Sequence, residues 1–135
     1  MSREFFDKVQ ELRNVHSAVL SSRQMLQLEE NWDGEDARPV LESTWKRATH
    51  FLWRIAVTLW KEDNISIPPP EIDPVPDGSI DIDWRLNGRE LLINIPPDPD
   101  KPTTYYGDDG AGGKVNKGEL NTSESNHWLL VWLLE

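Results

Sequence analysis

Apolar residues recur at spacings of three, four and seven along the first 63 residues, as expected for one face of an α-helix. No proline or glycine interrupts the stretch 3–29, which predicts a first helix. A second helix is predicted over 40–63, where Trp53 and Trp60 lie beside the main apolar stripe and widen it. Because so wide an arc needs cover on two sides, we expect the first helix on one side and a sheet on the other.

The second half changes to the alternating pattern of β-strands. Asn87-Gly88 separates two alternating stretches and is a strong hairpin signal, because both turn residues need positive φ. Such a two-residue turn fixes the register, which brings the large apolar residues onto one face expected to meet the helices. These residues are Ile80, Ile82, Trp84, Leu91, Ile93 and Ile95.

The remaining segments predict shorter elements. Prolines within 67–78 exclude a helix and favour an extended lead-in, with a short edge strand around 71–73. A third strand is predicted over 103–107 and a short fourth over 115–120, joined by a glycine-rich turn. Seven consecutive apolar residues, 128–134, fit either a short helix capped near Asn121 or a buried strand.

Together these elements predict one α+β domain over 1–135. A two-helix N-terminal hairpin (1–63) packs on a three- to four-stranded antiparallel sheet (64–120). The apolar C-terminal segment (121–135) follows as a helix or a strand.

Charge and composition narrow the function. Residues 63–135 carry 14 acids and 5 bases, a net charge of −9, which disfavours direct nucleic-acid binding. The absence of cysteine excludes disulfides and thiol nucleophiles. No apolar run is long enough for a membrane span, so we expect a cytoplasmic protein with no cofactor.

Carboxylates on the hairpin suggest two readings. Asp81 and Asp83 share one strand face, and with Asp77 and Glu90 they could form a metal site of a hydrolase or nuclease. However, no lysine follows Glu90 at the spacing used by Asp…Glu-x-Lys nucleases, so a solvated strand face, open to a partner, is favoured.

The loop between the helices reads as a structural corner. Trp32 is expected to anchor it in the core, Gly34 to adopt a conformation that other residues avoid, and Asp33 to accept backbone amides. A calcium-loop pattern fails, because Arg38 stands where a glycine is needed. Glu35 and Asp36 remain candidate partner contacts.

Other features complete the candidate sites. Trp128 and Trp132 in the C-terminal segment either belong to the core or form a protein interface. The glycine-rich turn lacks the Walker pattern, since Val115 follows Lys114, and no catalytic triad is evident around the three histidines.

Two motifs carry a resemblance. Trp32-Asp33-Gly34 with Ala37 and Pro39 is followed, after a helix, by a Pro-x-x-x-Pro-x-Pro-Asp-Gly segment (70–78) and a strand ending at Trp84. The chain thereby resembles small uncharacterised bacterial and archaeal proteins found in gene pairs arranged like toxin–antitoxin or defence modules.

The resemblance covers 28–107 and implies a binding partner, such as the product of an adjacent gene, rather than an activity. We therefore expect a non-enzymatic, antitoxin-like or accessory or inhibitory interaction protein. A metal-dependent hydrolase, an inhibitor that mimics nucleic acid and a homodimer remain open alternatives.

Overall fold

The computed structural model describes residues 2–110, 112, 115–124 and 126–135 and shows an α+β fold, which confirms the predicted class. Its helices and strands, in chain order, are α1 (Arg3–Ser22), a 3-10 turn (Arg23–Gln27), α2 (Glu42–Glu62), β1 (Glu71–Pro74), β2 (Ile80–Leu86), β3 (Arg89–Ile95), β4 (Thr103–Asp108), β5 (Val115–Leu120) and α3 (His127–Leu134). The glycine-rich turn predicted between β4 and β5 includes Ala111, Gly113 and Lys114, which lie outside the described residues.

The sheet has five antiparallel strands in the order β1-β2-β3-β4-β5. The prediction of three to four strands was wrong, because the short segments at both ends pair fully with their neighbours. β1 spans only four residues, yet all four have a partner on β2. Each strand therefore lies beside the next one in the chain.

The hairpin of β2 and β3 confirms the predicted register from Leu86 opposite Arg89 to Ile80 opposite Ile95. Asn87 and Gly88 have φ values of 52° and 81°, as the two-residue turn requires. The six large apolar side chains of this hairpin are all buried on the side of the sheet that faces the helices, here called the helix face.

The first helix is shorter than predicted. It ends at Ser22 and continues as the 3-10 turn, instead of reaching residue 29. The buried Ser22 hydroxyl donates to the carbonyl of Val19 (2.6 Å) and accepts from Trp45 Nε1 (2.9 Å). Because Trp45 lies on α2, this anchor depends on tertiary packing, which apolar spacing along one helix cannot reveal.

The helix layer covers one side of the sheet. α2 lies centrally, with Leu52 and Leu59 fully buried, and α1 packs against α2 and β1. The C-terminal segment is a helix, and it buries Leu129, Leu130 and Leu133 in the same core. None of the described helices is both long and apolar enough to span a membrane.

The cap predicted at Asn121 was wrong. Helix α3 begins after Asn126, whose φ is 48° and whose amide donates to the carbonyls of Asn121 (2.7 Å) and Glu124 (3.2 Å). The Asn121 side chain instead accepts from the backbone amide of Ser123 (3.0 Å), which closes the preceding turn. The left-handed residue that starts α3 therefore lies five positions later than the sequence pattern indicated.

Candidate functional site

The side of the sheet opposite the helices forms a broad polar surface, here called the open face. Strand register assigns alternate residues to it, and the described helices pack against the other side. Seven acids and two bases belong to this face, which gives it a net charge of −5. Its residues are Glu71 and Asp73 on β1, Asp81, Asp83 and Arg85 on β2, Glu90, Leu92 and Asn94 on β3, Thr104, Tyr106 and Asp108 on β4, and Val115, Lys117 and Glu119 on β5.

Asp83 is the unusual carboxylate of the open face. The expectation of a solvated strand face was wrong at this position, because the side chain is only 9% exposed. Its Oδ1 atom is buried and has no hydrogen-bond partner among the described residues. A buried polar atom without a partner costs free energy, so Asp83 is a poor choice for stability alone.

Two neighbours set the charge state of Asp83. Burial, and next the adjacent Glu90 as a hydrogen-bond partner and as a like charge, together raise the pKa of this carboxyl to about 6. Arg85 opposes this pKa shift through Nε, which lies 3.2 Å from Asp83 Oδ2 and 3.0 Å from Glu90 Oε2. Arg85 is itself 75% exposed, so one exposed cation bridges both acids.

The Asp83→Asn variant should be more stable than wild type above about pH 6, because an amide cannot ionise. The folded-state pKa of about 6 lies above the ordinary aspartate pKa of 3.8, so the stability that Asp83 contributes is complete below the lower pKa and lost as pH rises through the upper one. At about pH 8 we expect a gain of about 2 kcal/mol, allowing for solvent screening. Urea unfolding across this pH range measures it, and a gain of the same size near pH 4 would contradict the shift.

The centre of the open face is less polar than its surroundings. Leu92 and Tyr106 are paired across β3 and β4, and both are half-buried. Burial and the nearby Asp108 raise the pKa of the Tyr106 hydroxyl, and this shift favours the neutral form of the side chain. An apolar centre surrounded by charged groups is the usual arrangement of a protein-binding surface.

The carboxylates proposed as metal ligands are not gathered into one site. Asp77 accepts from the backbone amide of Ser79 (2.9 Å) within the β1–β2 turn, and Asp81 accepts from Asn94 Nδ2 (2.8 Å). Asn94 also donates to Ser79 Oγ (2.9 Å), so these groups form a local network. Within the part of the chain that the structure describes, no group of three or more His, Asp and Glu side chains is placed to hold a metal ion.

The corner loop is closed by its own hydrogen bonds. Asp33 Oδ1 accepts from the amides of Glu35 (2.8 Å) and Ala37 (3.0 Å), and Gly34 has a φ of 78°. Trp32 is half-buried, and its ring N–H donates to the carbonyl of Arg38 (2.8 Å). The expectation that Trp32 anchors the corner in the core needs correction, because it is not among the side chains packed on the core.

The exposed acids of the corner have different backbone conformations. Glu35 and Asp36 are both exposed, but Asp36 has a φ of 66° and its amide donates to Asn31 Oδ1 (2.8 Å). A lysine at Asp36 would strain that backbone, whereas asparagine tolerates it. The Asp36→Asn substitution is therefore the suitable way to remove this charge.

The two motifs behind the family resemblance meet in space. The amide of Arg38 donates to the carbonyl of Pro76 (2.8 Å), which joins the corner loop to the β1–β2 turn. Gly78 has a φ of 89°, and a Cβ there would lie 3.6 Å from both the Pro39 carbonyl oxygen and a Pro97 ring carbon. The motifs therefore form a structural junction.

The two C-terminal tryptophans are placed differently. Trp132 packs within 3.2 Å of the position a Cβ on Gly107 would take, and Arg89 lies over its ring at 5.1 Å. Trp128 is 49% exposed and meets the Tyr105 ring edge-on at 5.7 Å. Both lie on the helix side of the sheet, so the structure does not bring them together with Asp81 and Asp83.

Sequence reasoning missed four acids of the open face. Glu71 and Asp73 on β1, and Asp108 and Glu119 farther along the sheet, share the face of Asp83 through consecutive pairing. The alternation Glu-x-Asp over 71–73 was a usable signal, but it becomes informative only once β1 is known to pair with β2.

A groove of about 520 Å³ lies between the end of α1 and β1 and is lined by Met25, Ile72 and Pro74 together with serine and glutamine side chains.

No protein-family model matches this chain, and neither the curated proteins nor the solved structures contain a significant match.

Proposed function

We propose that this protein is a non-enzymatic binding module whose open face receives a basic surface of a partner protein. The observation that carries the proposal is the register of five strands, which places seven acids and two bases on a sheet face that the described helices leave uncovered. Charge complementarity of this kind speeds association and selects partners. A broad face with an apolar centre suits a protein better than a small ligand, which prefers a concave pocket.

Asp83 supports the same assignment. Within the described part of the chain its buried Oδ1 has no hydrogen-bond partner, and its other oxygen is paired with the exposed Arg85. A lysine or arginine of the partner that takes the place of Arg85 at Asp83 Oδ2 would stabilise the ionised carboxylate in the complex. The stability cost of Asp83 in the free protein would then be offset in the complex.

The gene-pair setting implied by the W-D-G resemblance would make the partner the product of an adjacent gene. In this proposal the protein is an antitoxin-like, accessory or inhibitory component of a prokaryotic defence system. The resemblance supports this setting, and the charge of the open face supports a basic partner.

Co-expression with the adjacent gene product tests the proposal. The two proteins should purify together at low salt and separate as salt rises, because screening weakens contacts between exposed charges. If they never associate, and a lysine- and arginine-rich peptide also fails to bind at low salt, the proposal is wrong.

A further inference from the structure

The two edges of the sheet differ in their protection. β1 is four residues long, ends at Pro74 and has α1 packed beside it. β5 is six residues long, contains no proline and is the last strand in the sheet order. No described strand pairs with the outer edge of β5, which leaves a row of backbone donors and acceptors ready to pair with another strand.

We propose that β5 pairs with β5 of a second copy of this chain, which makes the protein an antiparallel dimer with a continuous ten-stranded sheet. A two-fold axis perpendicular to the sheet keeps the open faces of both copies on one side. Residues of the same face must then lie opposite each other, and this condition excludes every register in which an odd-numbered residue meets an even-numbered one.

Charge selects one of the remaining registers. A register centred on Lys117 places two lysines opposite each other, and one centred on Glu119 does the same with two glutamates. The register centred on Gly118 places Lys117 opposite Glu119 of the second copy, and the two-fold axis repeats that pair. Opposite charges directly across antiparallel strands stabilise pairing, whereas like charges destabilise it.

Side chains on the helix face of the sheet also favour a register centred on Gly118. Gly118 has no side chain, and a Cβ added there would lie 3.0 Å from the ring and hydroxyl of Tyr105, so that ring lies over the edge strand. Trp128 packs on Tyr105 and is 49% exposed. With Gly118 at the two-fold axis, the two Tyr105–Trp128 pairs approach each other, which gives the exposed tryptophan apolar cover. Trp is enriched at the centres of such interfaces.

The test measures the dissociation constant by sedimentation from micromolar to sub-millimolar concentration. Wild type should form a dimer. Lys117→Glu and Glu119→Lys should each weaken it at least about tenfold, since each replaces two attractive pairs with two repulsive ones. The double variant Lys117→Glu/Glu119→Lys should restore the dimer, because it exchanges the charges and keeps the pairs.

The exposed Glu29, in the loop before the corner, provides the control for Glu119→Lys: Glu29→Lys changes net charge in the same direction and by the same amount, and should leave the dimer intact. Circular dichroism checks that each variant is folded. A monomeric wild type over the whole range overturns the proposal, as does a dimer unaffected by either single variant or a double variant that stays weak. Substitutions on β1, at the opposite edge, should not alter the dimer, which separates this result from the fate of the proposed function.

Discussion

Replacing Leu130 by alanine is expected to lower the free energy of unfolding by about 3 kcal/mol. Leu130 belongs to α3 and is fully buried in the core between this helix and the sheet. The substitution therefore removes buried methyl groups and leaves a cavity. Its loss should loosen the contact between α3 and the sheet. Such a loss would show that the C-terminal apolar segment contributes to the stability of the core.

Urea unfolding of Leu130→Ala and Val131→Ala measures this difference. Val131 is the next residue of the same helix and is 37% exposed, so its truncation should cost no more than about 1 kcal/mol. Both variants have alanine in α3, which equalises the effect of helix propensity to within a few tenths of a kcal/mol. Equal and small losses would show that α3 is not docked on the sheet.

Reversing two charges on β1 should weaken binding of a basic partner at least about tenfold, which corresponds to about 1.4 kcal/mol. Glu71→Lys/Asp73→Lys changes two exposed acids on the open face, beside Asp83 and Asp81. The new lysines would repel a basic surface as it approaches. Because both side chains are exposed, the fold should be preserved.

The matched control is Glu29→Lys/Glu30→Lys, which changes net charge by the same amount at exposed positions outside the sheet. It should lower affinity much less, and the gap between the two variants should shrink as salt rises. Titration of the adjacent gene product, followed by calorimetry, gives both affinities. Equal losses for the two variants would mean that overall charge, and not the open face, governs binding.

Local signals predicted the central hairpin well. The two-residue turn Asn87-Gly88 allows few alternative pairings of β2 with β3. A slip of one residue would move Ile82 and Ile93 to the open face, so turn geometry and burial require the same register. The ends of the sheet were harder to predict, because four-residue β1 has too few positions to show alternation. Its position in the sheet is defined by pairing with β2, which lies outside the segment itself.

The features that sequence patterns missed depend on contacts between distant segments. Ser22 ends α1 through a hydrogen bond from Trp45, 23 positions later. Asp83 shares the alternating pattern of Asp81, so strand alternation alone cannot show that Asp83 is buried and Asp81 is only half-buried. Gly78 reads as a simple turn residue until the corner loop is placed against it.

The binding face is located most directly by nuclear magnetic resonance of the labelled protein during titration with a lysine- and arginine-rich peptide. Amide shifts should change along the open face, with Asp83, Leu92 and Tyr106 near their centre, while the corner loop and α3 stay constant. Shifts centred on Glu35 and Asp36, or on Trp128, with an unchanged open face would contradict the assignment of this face as the binding surface.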